Sequence, residues 1–268
     1  MRTIIGLAAP ARSGKDTVAA ILLNNPGVAA YALADPLKMG CQVLWGLTDE
    51  QAWSDALKEQ TIPLWGRSPR ELFQQVGTEW MREFNADHWL KRAELAINPP
   101  IESSEPANIT TLESIDAPFR LAAQAFFGFT SAQVWDEQCS IQLDAYWGVR
   151  PQEIVELLSR KAHLLYPGYS SKRATLPTVA PRPLAPLPAH VHTIIIKDIR
   201  FENEASYLRS HNGKIWHIKR PNSQLVNPHS SESGIAQQPG DTTIMNDSTL
   251  QALANRVADA WQEIRPTH

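Results

Sequence analysis

A phosphate-binding loop is the strongest chemical signal in the sequence, at residues 9–17 (Ala-Pro-Ala-Arg-Ser-Gly-Lys-Asp-Thr). It follows an apolar run, Thr3–Ala8, typical of a buried strand, and it precedes a helical pattern that ends near Leu23. There, backbone N–H groups at the helix N-terminus can bind phosphate while Lys15 adds a positive charge. The residues predicted to bind nucleotide phosphates are Arg12, Ser13, Gly14, Lys15, Asp16 and Thr17. The alternative is a helix-capping turn in which Gly-Lys occurs by chance.

Two residues of this loop depart from the usual pattern. Ala9 stands where glycine is usual, so the first turn of the loop must avoid positive φ or accept strain. Asp16 stands where Ser or Thr usually binds magnesium, and Thr17 follows it. Asp16 could hold the ion through water, or it could only cap the helix and favour its positive end.

A second carboxylate is predicted near the loop. Asp198 ends an apolar strand at the carboxyl edge, where open α/β sheets bind ligands. It could be a magnesium-binding carboxylate, or it could simply pair with Arg200. Arg200 and Arg220 are predicted to neutralise phosphate charge in the transition state. Asn246 follows the last strand and could contact adenine or cap the last helix.

The elements that would position these residues alternate between strand and helix. Apolar runs predict strands at residues 3–8, 28–33, 192–197, 214–218 and 242–245. Helical patterns end near residue 23 and cover residues 37–45, 202–211 and 248–264, with Asp35-Pro36 marking the turn into the helix at 37. This alternation predicts an α/β fold in which helices flank both faces of a parallel sheet.

The middle of the chain contains an internal repeat. Pro36 and Pro118 are 82 residues apart, and at this offset the 36 positions 36–71 contain eleven identities. Two of them pair tryptophans, Trp53 with Trp135 and Trp65 with Trp147. We infer a duplicated helical module. The predicted domains are a core of residues 1–35 and 192–268, a helical module of residues 36–97, and a degenerate second copy at 98–191 with proline-rich connectors.

Composition excludes several classes of protein. A formal charge of −3 gives no general attraction to polyanions, so stable nucleic-acid binding is not expected. The two cysteines indicate reduced thiols in a cytoplasmic protein rather than a disulfide framework. The sequence predicts neither a signal peptide nor a run of roughly 20 apolar residues that could span a membrane.

Several motifs occur together in the order found in one family. They are Arg12–Thr17, Leu33–Lys38 (Leu-Ala-Asp-Pro-Leu-Lys), Arg70–Thr78 (Arg-Glu-Leu-Phe-Gln-Gln-Val-Gly-Thr), Lys197–Arg200 with Asn203-Glu204, Arg220-Pro221, His229 with Glu232, and Asn246-Asp247-Ser248. Taken together, this set resembles the deoxynucleoside monophosphate kinases of tailed bacteriophages. The resemblance covers residues 1–97 and 192–264 and leaves 98–191 unmatched.

The resemblance implies a P-loop kinase fold and transfer of phosphate from ATP, with Mg²⁺, to deoxynucleoside monophosphates (dNMPs). It also suggests a homodimer and, for a phage-encoded protein, the cytoplasm of an infected bacterium. Such an acceptor needs cations for its phosphate and polar groups for its base. The candidate phosphate-binding residues are Lys38, Arg70 and Arg82. Asp35, Gln74 and Thr78 are candidates for sugar or base contacts, with Gly77 letting the ligand approach the backbone.

Two other classes of function remain open on sequence grounds. One is another P-loop kinase, acting on a different small molecule or on modified bases in DNA. The other is a nucleotide-binding module that drives assembly without transferring phosphate. Formation of a diphosphate from a monophosphate separates a kinase from such a module.

Overall fold

The computed structural model describes residues 2–10, 12–98, 112–181, 187–221 and 234–264. The chain divides into two compact units. The sheet unit comprises Met1–Leu33 and Pro186–His268, and the helical unit comprises Ala34–Ala185. Among the described residues, no helix has the length and apolar character needed to cross a membrane.

The sheet unit is an α/β structure. Its described strands form one parallel sheet in the order β2-β3-β1-β4-β5. The strands are β1 Thr3–Ala8, β2 Val28–Tyr31, β3 Thr193–Ile199, β4 Lys214–Lys219 and β5 Thr242–Met245. The helices of this unit are α1 Lys15–Leu23, α11 Glu202–Ser210 and α12 Leu250–Ile264. The predicted strands and the predicted parallel sheet are confirmed, with ends that differ by a few residues.

Helices cover both faces of this sheet. On one face, side chains of α1 and α12 pack with β1 and β4 in a core that includes Val18, Trp216 and Val257. On the other face, α11 lies so close to β1 that a Cβ atom on Gly6 would stand 2.7 Å from Cδ1 of Leu208. A larger residue at position 6 would therefore push α11 away from the sheet.

The helical unit begins earlier than the sequence pattern predicts. We expected Asp35-Pro36 to form the turn before a helix at residue 37, but α2 comprises Ala34–Trp45. Pro36 is tolerated there because the first turn of a helix lacks intrahelical N–H bonds. Asp35 therefore lies in the first turn of the helix, where its negative charge favours the positive helix end.

Two segments of the helical unit have similar but not identical orders of elements. The first segment contains α2, α3 Asp49–Trp53, α4 Pro69–Gln74, a π-helix at Gln75–Arg82 and α5 His88–Ile97. The second segment contains α6 Ala117–Phe127, α7 Ser131–Trp135, α8 Glu137–Ser140, α9 Pro151–Leu165 and α10 Tyr169–Arg173.

Contacts of the first segment recur 82 residues later in the second. The Trp65 indole donates to the Trp45 carbonyl over 2.8 Å, and the Trp147 indole donates to the Phe127 carbonyl over the same distance. Capping boxes begin at Thr48 in one segment and Thr130 in the other. Isolated antiparallel bridges join residues 62 and 67 and, in the second segment, residues 144 and 149. The two segments therefore share local structure as well as sequence.

The last helix of each segment packs on the first helix of the other. His88 of α5 bonds through Nε2 to the Phe126 carbonyl at 3.0 Å, while the Tyr169 hydroxyl of α10 donates to the Leu44 carbonyl at 2.6 Å. One turn further along these helices, Arg92 Nε donates to Ala125 O and Arg173 Nε donates to Val43 O. Because these contacts are reciprocal, each segment completes the core of the other.

The buried imidazole of His88 predicts a loss of stability in mild acid. Its Nε2 proton bonds to a carbonyl, and its Nδ1 has no hydrogen-bond partner among the described residues. Burial lowers the pKa of His88 to about 3. The unfolded chain therefore binds the proton first, and the free energy of unfolding falls as pH drops below about 6.5. We expect the titration of His88 to lower the free energy of unfolding by about 2 kcal/mol between pH 7.5 and pH 5.

Urea unfolding at a series of pH values measures this effect. The His88→Gln variant is the comparison, since it cannot gain the proton. A smaller decrease of stability with acid in that variant than in the parent protein is the expected result. Equal decreases in the two proteins would show that His88 does not contribute.

Candidate active site

The segment at residues 9–17 leads from the end of β1 into the first turn of α1, as the sequence predicts. Positive φ angles occur at Arg12 (62°) and Gly14 (97°), whereas Ala9 avoids them and so carries none of the strain considered for it. The buried Ser13 hydroxyl donates to the Pro10 carbonyl over 2.8 Å and closes the turn. A left-handed residue directly before a helix turns successive N–H groups toward one side, which is the arrangement that binds anions.

Lys15 and Asp198 meet at the carboxyl edge of the sheet. Lys15 is the first residue of α1, and its Nζ lies 3.4 Å from Oδ1 of Asp198. Asp198 is the penultimate residue of β3 rather than the residue after it, because the strand continues to Ile199. Its Oδ2 also lies 2.7 Å from Nε of Arg200, so the pair with Arg200 is observed, while magnesium binding by Asp198 stays a prediction. Asp198 thus connects two cations beside the loop.

Arg200 and Arg220 both lie at this edge. The Arg200 backbone N–H donates to the buried Glu204 carboxylate over 2.9 Å, which fixes the turn between β3 and α11. Arg220 follows β4, and its Nη1 lies 3.4 Å from the Arg12 carbonyl. The fold therefore brings residues more than 180 positions apart in sequence to one loop.

Asn246 supports the loop. Its side-chain amide donates to the Ser13 carbonyl over 2.8 Å. A Cβ atom added to Gly14 would stand only 2.3 Å from the same Nδ2 atom of Asn246, so a larger residue at position 14 would clash with it. The interpretation of Asn246 as the cap of the last helix is wrong. Thr249 has that position, since its hydroxyl accepts from the Ala252 N–H before α12 begins at Leu250. Contact of Asn246 with adenine stays a prediction.

The oxygen ligands near the loop suit magnesium. Asp16 is exposed in the first turn of α1 and Thr17 is half-buried beside it. The Asp198 carboxylate is 41% exposed, so a hard cation could reach it. Among the described residues, no group of three or more Asp, Glu, His or Cys side chains could by itself hold a metal ion. This sparse set fits Mg²⁺, which in kinases uses one or two carboxylates and takes its other ligands from water and phosphate.

Three cations lie around one carboxylate in the first segment of the helical unit. Lys58 bonds to Asp55 at 2.7 Å, and this hydrogen bond, together with the charges of Lys58, Lys38 and Arg70, holds the pKa of Asp55 below its usual range. Arg70 also pairs with Glu59 at 2.6 Å. Lys38 and Arg70 were predicted from sequence, but Lys58 was not. Lys58 belongs to an irregular loop, so no periodic pattern indicates it.

The remaining predicted acceptor residues are mostly on the π-helix. Thr78 is exposed there, Arg82 is half-buried, and Gln74 is exposed at the end of α4. Gly77 is buried, and a Cβ atom on it would stand 2.8 Å from Cδ2 of Leu37. Leu37 of α2 therefore lies beside the Gly77 backbone, on the side where a side chain would be. The absence of a side chain at Gly77 makes room for this helix contact rather than for the ligand expected from the sequence.

In the second segment, the counterparts of most of these candidate acceptor residues line one cavity. A cavity of about 730 Å³ is lined by the residues 82 positions after Lys38, Asp55, Lys58, Arg70, Gln74, Gly77 and Thr78. Those residues are Arg120, Glu137, Ser140, Gln152, Glu156, Ser159 and Arg160. Because the segments share their local structure, the first segment is expected to place its own residues around a corresponding groove.

Comparison with known proteins finds a match within the sheet unit. Residues 186–257 match the family model described as deoxynucleotide monophosphate kinase. This confirms the resemblance to deoxynucleotide monophosphate kinases. The region that matches the kinase family contains Asp198, Arg200, Arg220 and Asn246, and it contains neither the loop at residues 9–17 nor the helical unit.

A curated relative gives the same result. A protein described as a putative deoxynucleotide monophosphate kinase, from Acanthamoeba polyphaga mimivirus, is 39% identical over 83 residues. The aligned region is 30% of this chain and 43% of that protein. This relative is viral, but it does not come from a bacteriophage. The prediction of a resemblance specific to bacteriophage kinases was therefore too narrow. His229 and Glu232, which belong to the motif set, lie outside the described residues.

Proposed function

We propose that this protein is a P-loop kinase that transfers the γ-phosphoryl group of ATP to a deoxynucleoside monophosphate. The observation that carries the proposal is the position of Lys15, Asp198 and Arg200 together at the carboxyl edge of the sheet. The match of the surrounding residues to the deoxynucleotide monophosphate kinase family supports it. Phosphoryl transfer requires positioning and charge neutralisation rather than a covalent enzyme intermediate, and these groups can supply both.

In this proposal the loop binds ATP. The N–H groups of the first turn of α1 have no intrahelical partners and bind the phosphates, while Lys15 leaves Asp198 to contact the transferring phosphoryl group. Arg200 and Arg220 neutralise negative charge that develops on the phosphate oxygens. Magnesium, when bound, supplies further charge neutralisation, and Asp198 with Asp16 or Thr17 would hold it.

The acceptor binds to the first segment of the helical unit. Lys38, Arg70 and the newly recognised Lys58 bind the monophosphate, since three cations beside the carboxylates of Asp55 and Glu59 leave a net positive charge for an anionic ligand. Arg82, Asp35, Gln74 and Thr78 contribute polar groups for the phosphate, sugar and base. The cations Lys38, Lys58 and Arg70 suit a monophosphate, which has two negative charges, better than they suit a neutral sugar or base.

A panel of acceptors tests the proposal. The protein is incubated with ATP, Mg²⁺ and each of the common deoxynucleoside monophosphates, and the diphosphate is quantified. Diphosphate formation with at least one of them is expected. ATP binding without any diphosphate would support the non-catalytic module instead, and ATP consumption only with other small molecules would support a different kinase.

We also propose that the second segment is a duplicate of the first that has lost acceptor binding. Arg120 replaces Lys38, but its guanidinium is held by Asp116 at 2.6 Å and by the Val134 carbonyl. Gln152 replaces Arg70 and bonds to Glu156 over 2.8 Å. Ser140 replaces Lys58, so two of the three cations are absent from the second groove. The shared tryptophan contacts support common shape without common chemistry.

Acceptor stoichiometry distinguishes one working groove from two. Calorimetric titration with a deoxynucleoside monophosphate, in the presence of a non-hydrolysable ATP analogue, is expected to give one acceptor per chain. The Arg120→Ala variant should give the same stoichiometry and the same affinity within about twofold, since Arg120 is paired within the second segment and is not part of the first groove. Two acceptors per chain, one of them lost in Arg120→Ala, would show that the second groove binds acceptor.

A further inference from the structure

The first segment contains one residue more than the second between equivalent helix starts. Pro69 of α4 corresponds to Pro151 of α9, an offset of 82, whereas His88 of α5 corresponds to Tyr169 of α10, an offset of 81. Between these points the second segment has a continuous α-helix, but the first has the π-helix Gln75–Arg82. A π-helix fits more residues into each turn, so the extra residue is accommodated there.

The π-helix coincides with the proposed acceptor residues. It contains Gly77, Thr78 and Arg82 and directly follows Gln74. Within it the Glu83 N–H bonds back to the Thr78 carbonyl, and the Gly77 carbonyl accepts from the Trp89 indole over 3.2 Å. A π-helix is less favourable than an α-helix and is found mostly at functional sites, so it needs contacts that hold its register.

The second segment supplies such contacts. The hydroxyl of Tyr166, which follows α9, donates to Oε1 of Gln75 at the start of the π-helix. The Tyr166 ring is buried against Trp45, with centroids 4.4 Å apart, which fixes the position of the hydroxyl. Burial raises the pKa of Tyr166 to about 12, so the hydroxyl keeps its proton as donor. Lys161 Nζ lies 3.4 Å from the Glu79 carbonyl in the middle of the π-helix.

This polar support is one-sided. At the position that corresponds to Tyr166, the first segment has Asn85, and the residue that corresponds to Gln75 is Leu157. Leu157 has no side-chain acceptor, so the reciprocal hydrogen bond cannot form. The π-helix of the first segment is therefore anchored by a hydroxyl of the second segment, whereas α9 is neither a π-helix nor anchored in this way. The packing contacts of the two segments are reciprocal, but this contact is not.

We propose that Tyr166 is a positioning residue for acceptor binding, which it supports by holding the π-helix through Gln75. The inference rests on the proposed function, because it concerns the groove that would bind the deoxynucleoside monophosphate. It also gives the second segment a role without a ligand of its own: the segment holds the acceptor helix of the first. Binding of ATP in the sheet unit does not depend on this contact.

The Tyr166→Phe variant removes the hydroxyl and keeps the ring. We expect the KM for the monophosphate to rise about 3- to 10-fold, the value of one neutral hydrogen bond, while the KM for ATP stays unchanged. Gln75→Leu, which copies residue 157, should have the same effect. The double variant should be no worse than either single variant, because both changes remove one interaction.

The matched control is Tyr146→Phe. The Tyr146 hydroxyl also forms hydrogen bonds from the second segment to the first. These bonds are to Lys91 O and Glu94 Oε2 of α5, not to the π-helix. Hydrogen exchange of the amides of residues 75–83 gives a readout that does not require activity. Faster exchange there is expected in Tyr166→Phe and not in Tyr146→Phe.

The outcomes separate the two proposals. If the parent protein phosphorylates no monophosphate, the proposed function fails, and the exchange experiment alone still judges the positioning role. If Tyr166→Phe matches Tyr146→Phe in exchange at residues 75–83 and in the KM for the monophosphate, Tyr166 does not position the helix. Additive effects in the double variant would likewise overturn the link through Gln75.

Discussion

Replacement of Lys15 by alanine is expected to lower kcat for diphosphate formation by roughly 10² or more. Lys15 is the cation that the loop presents at the N-terminus of α1, and its partner Asp198 cannot substitute for it, since Asp198 is negative. A preorganised charge beside the transferring group lowers the barrier, and its loss is not compensated by water. The variant should keep its fold, because Lys15 is part of the site edge and not of the hydrophobic core.

Turnover at saturating ATP and acceptor measures this effect, and circular dichroism with thermal unfolding checks the fold. Lys214→Ala is the matched control. Lys214 is an exposed lysine of the same unit, at the start of β4 and so at the opposite edge of the sheet from Lys15. Near-normal turnover of Lys15→Ala would overturn the assignment of the loop.

Replacement of Arg70 by alanine is expected to act on the acceptor and not on ATP. Arg70 is one of three cations near Asp55, and a charged hydrogen bond to a phosphate contributes about 1.5–3 kcal/mol. The KM for the monophosphate should therefore rise roughly 10- to 100-fold, while the KM for ATP changes by less than about twofold.

Initial rates with each substrate varied in turn give both constants. Arg67→Ala is the control, because Arg67 is also exposed and paired with a glutamate, Glu71, but is not among the cations that lower the pKa of Asp55. A large rise in the KM for ATP with an unchanged KM for the monophosphate would show that the two sites are assigned in reverse.

The parts of the fold that follow from local pattern could be predicted. Short apolar runs define the strands, and Gly14 before Lys15 defines a turn into a helix. The rule that ligands bind at the carboxyl edge of a parallel sheet was sufficient to place Asp198 near Lys15. The start of α2 was misplaced because proline was taken as the residue before the helix, whereas the first turn accepts it.

Features that depend on distant packing could not be predicted. The π-helix has a helical sequence pattern, and only comparison of the spacing of Pro69 and His88 with that of their counterparts reveals the extra residue. The exchange of terminal helices joins residues such as Tyr169 and Leu44, which are 125 positions apart. Lys58 became a candidate only because the fold places it beside Asp55.

The order of the strands in the sheet also constrains which parts of the protein can fold first during synthesis. β1 pairs with β3 and β4, and β2 pairs with β3, so no two strands of the first 33 residues are neighbours in the sheet. At about 5–20 residues per second, the ribosome needs roughly 10 to 30 s to synthesise the residues between β2 and β3. Throughout that time β1 and the phosphate loop have no strand partner, while the helical unit can already fold. On a nascent chain the proposed acceptor groove is thus expected to form before the loop at residues 9–17 reaches its final form.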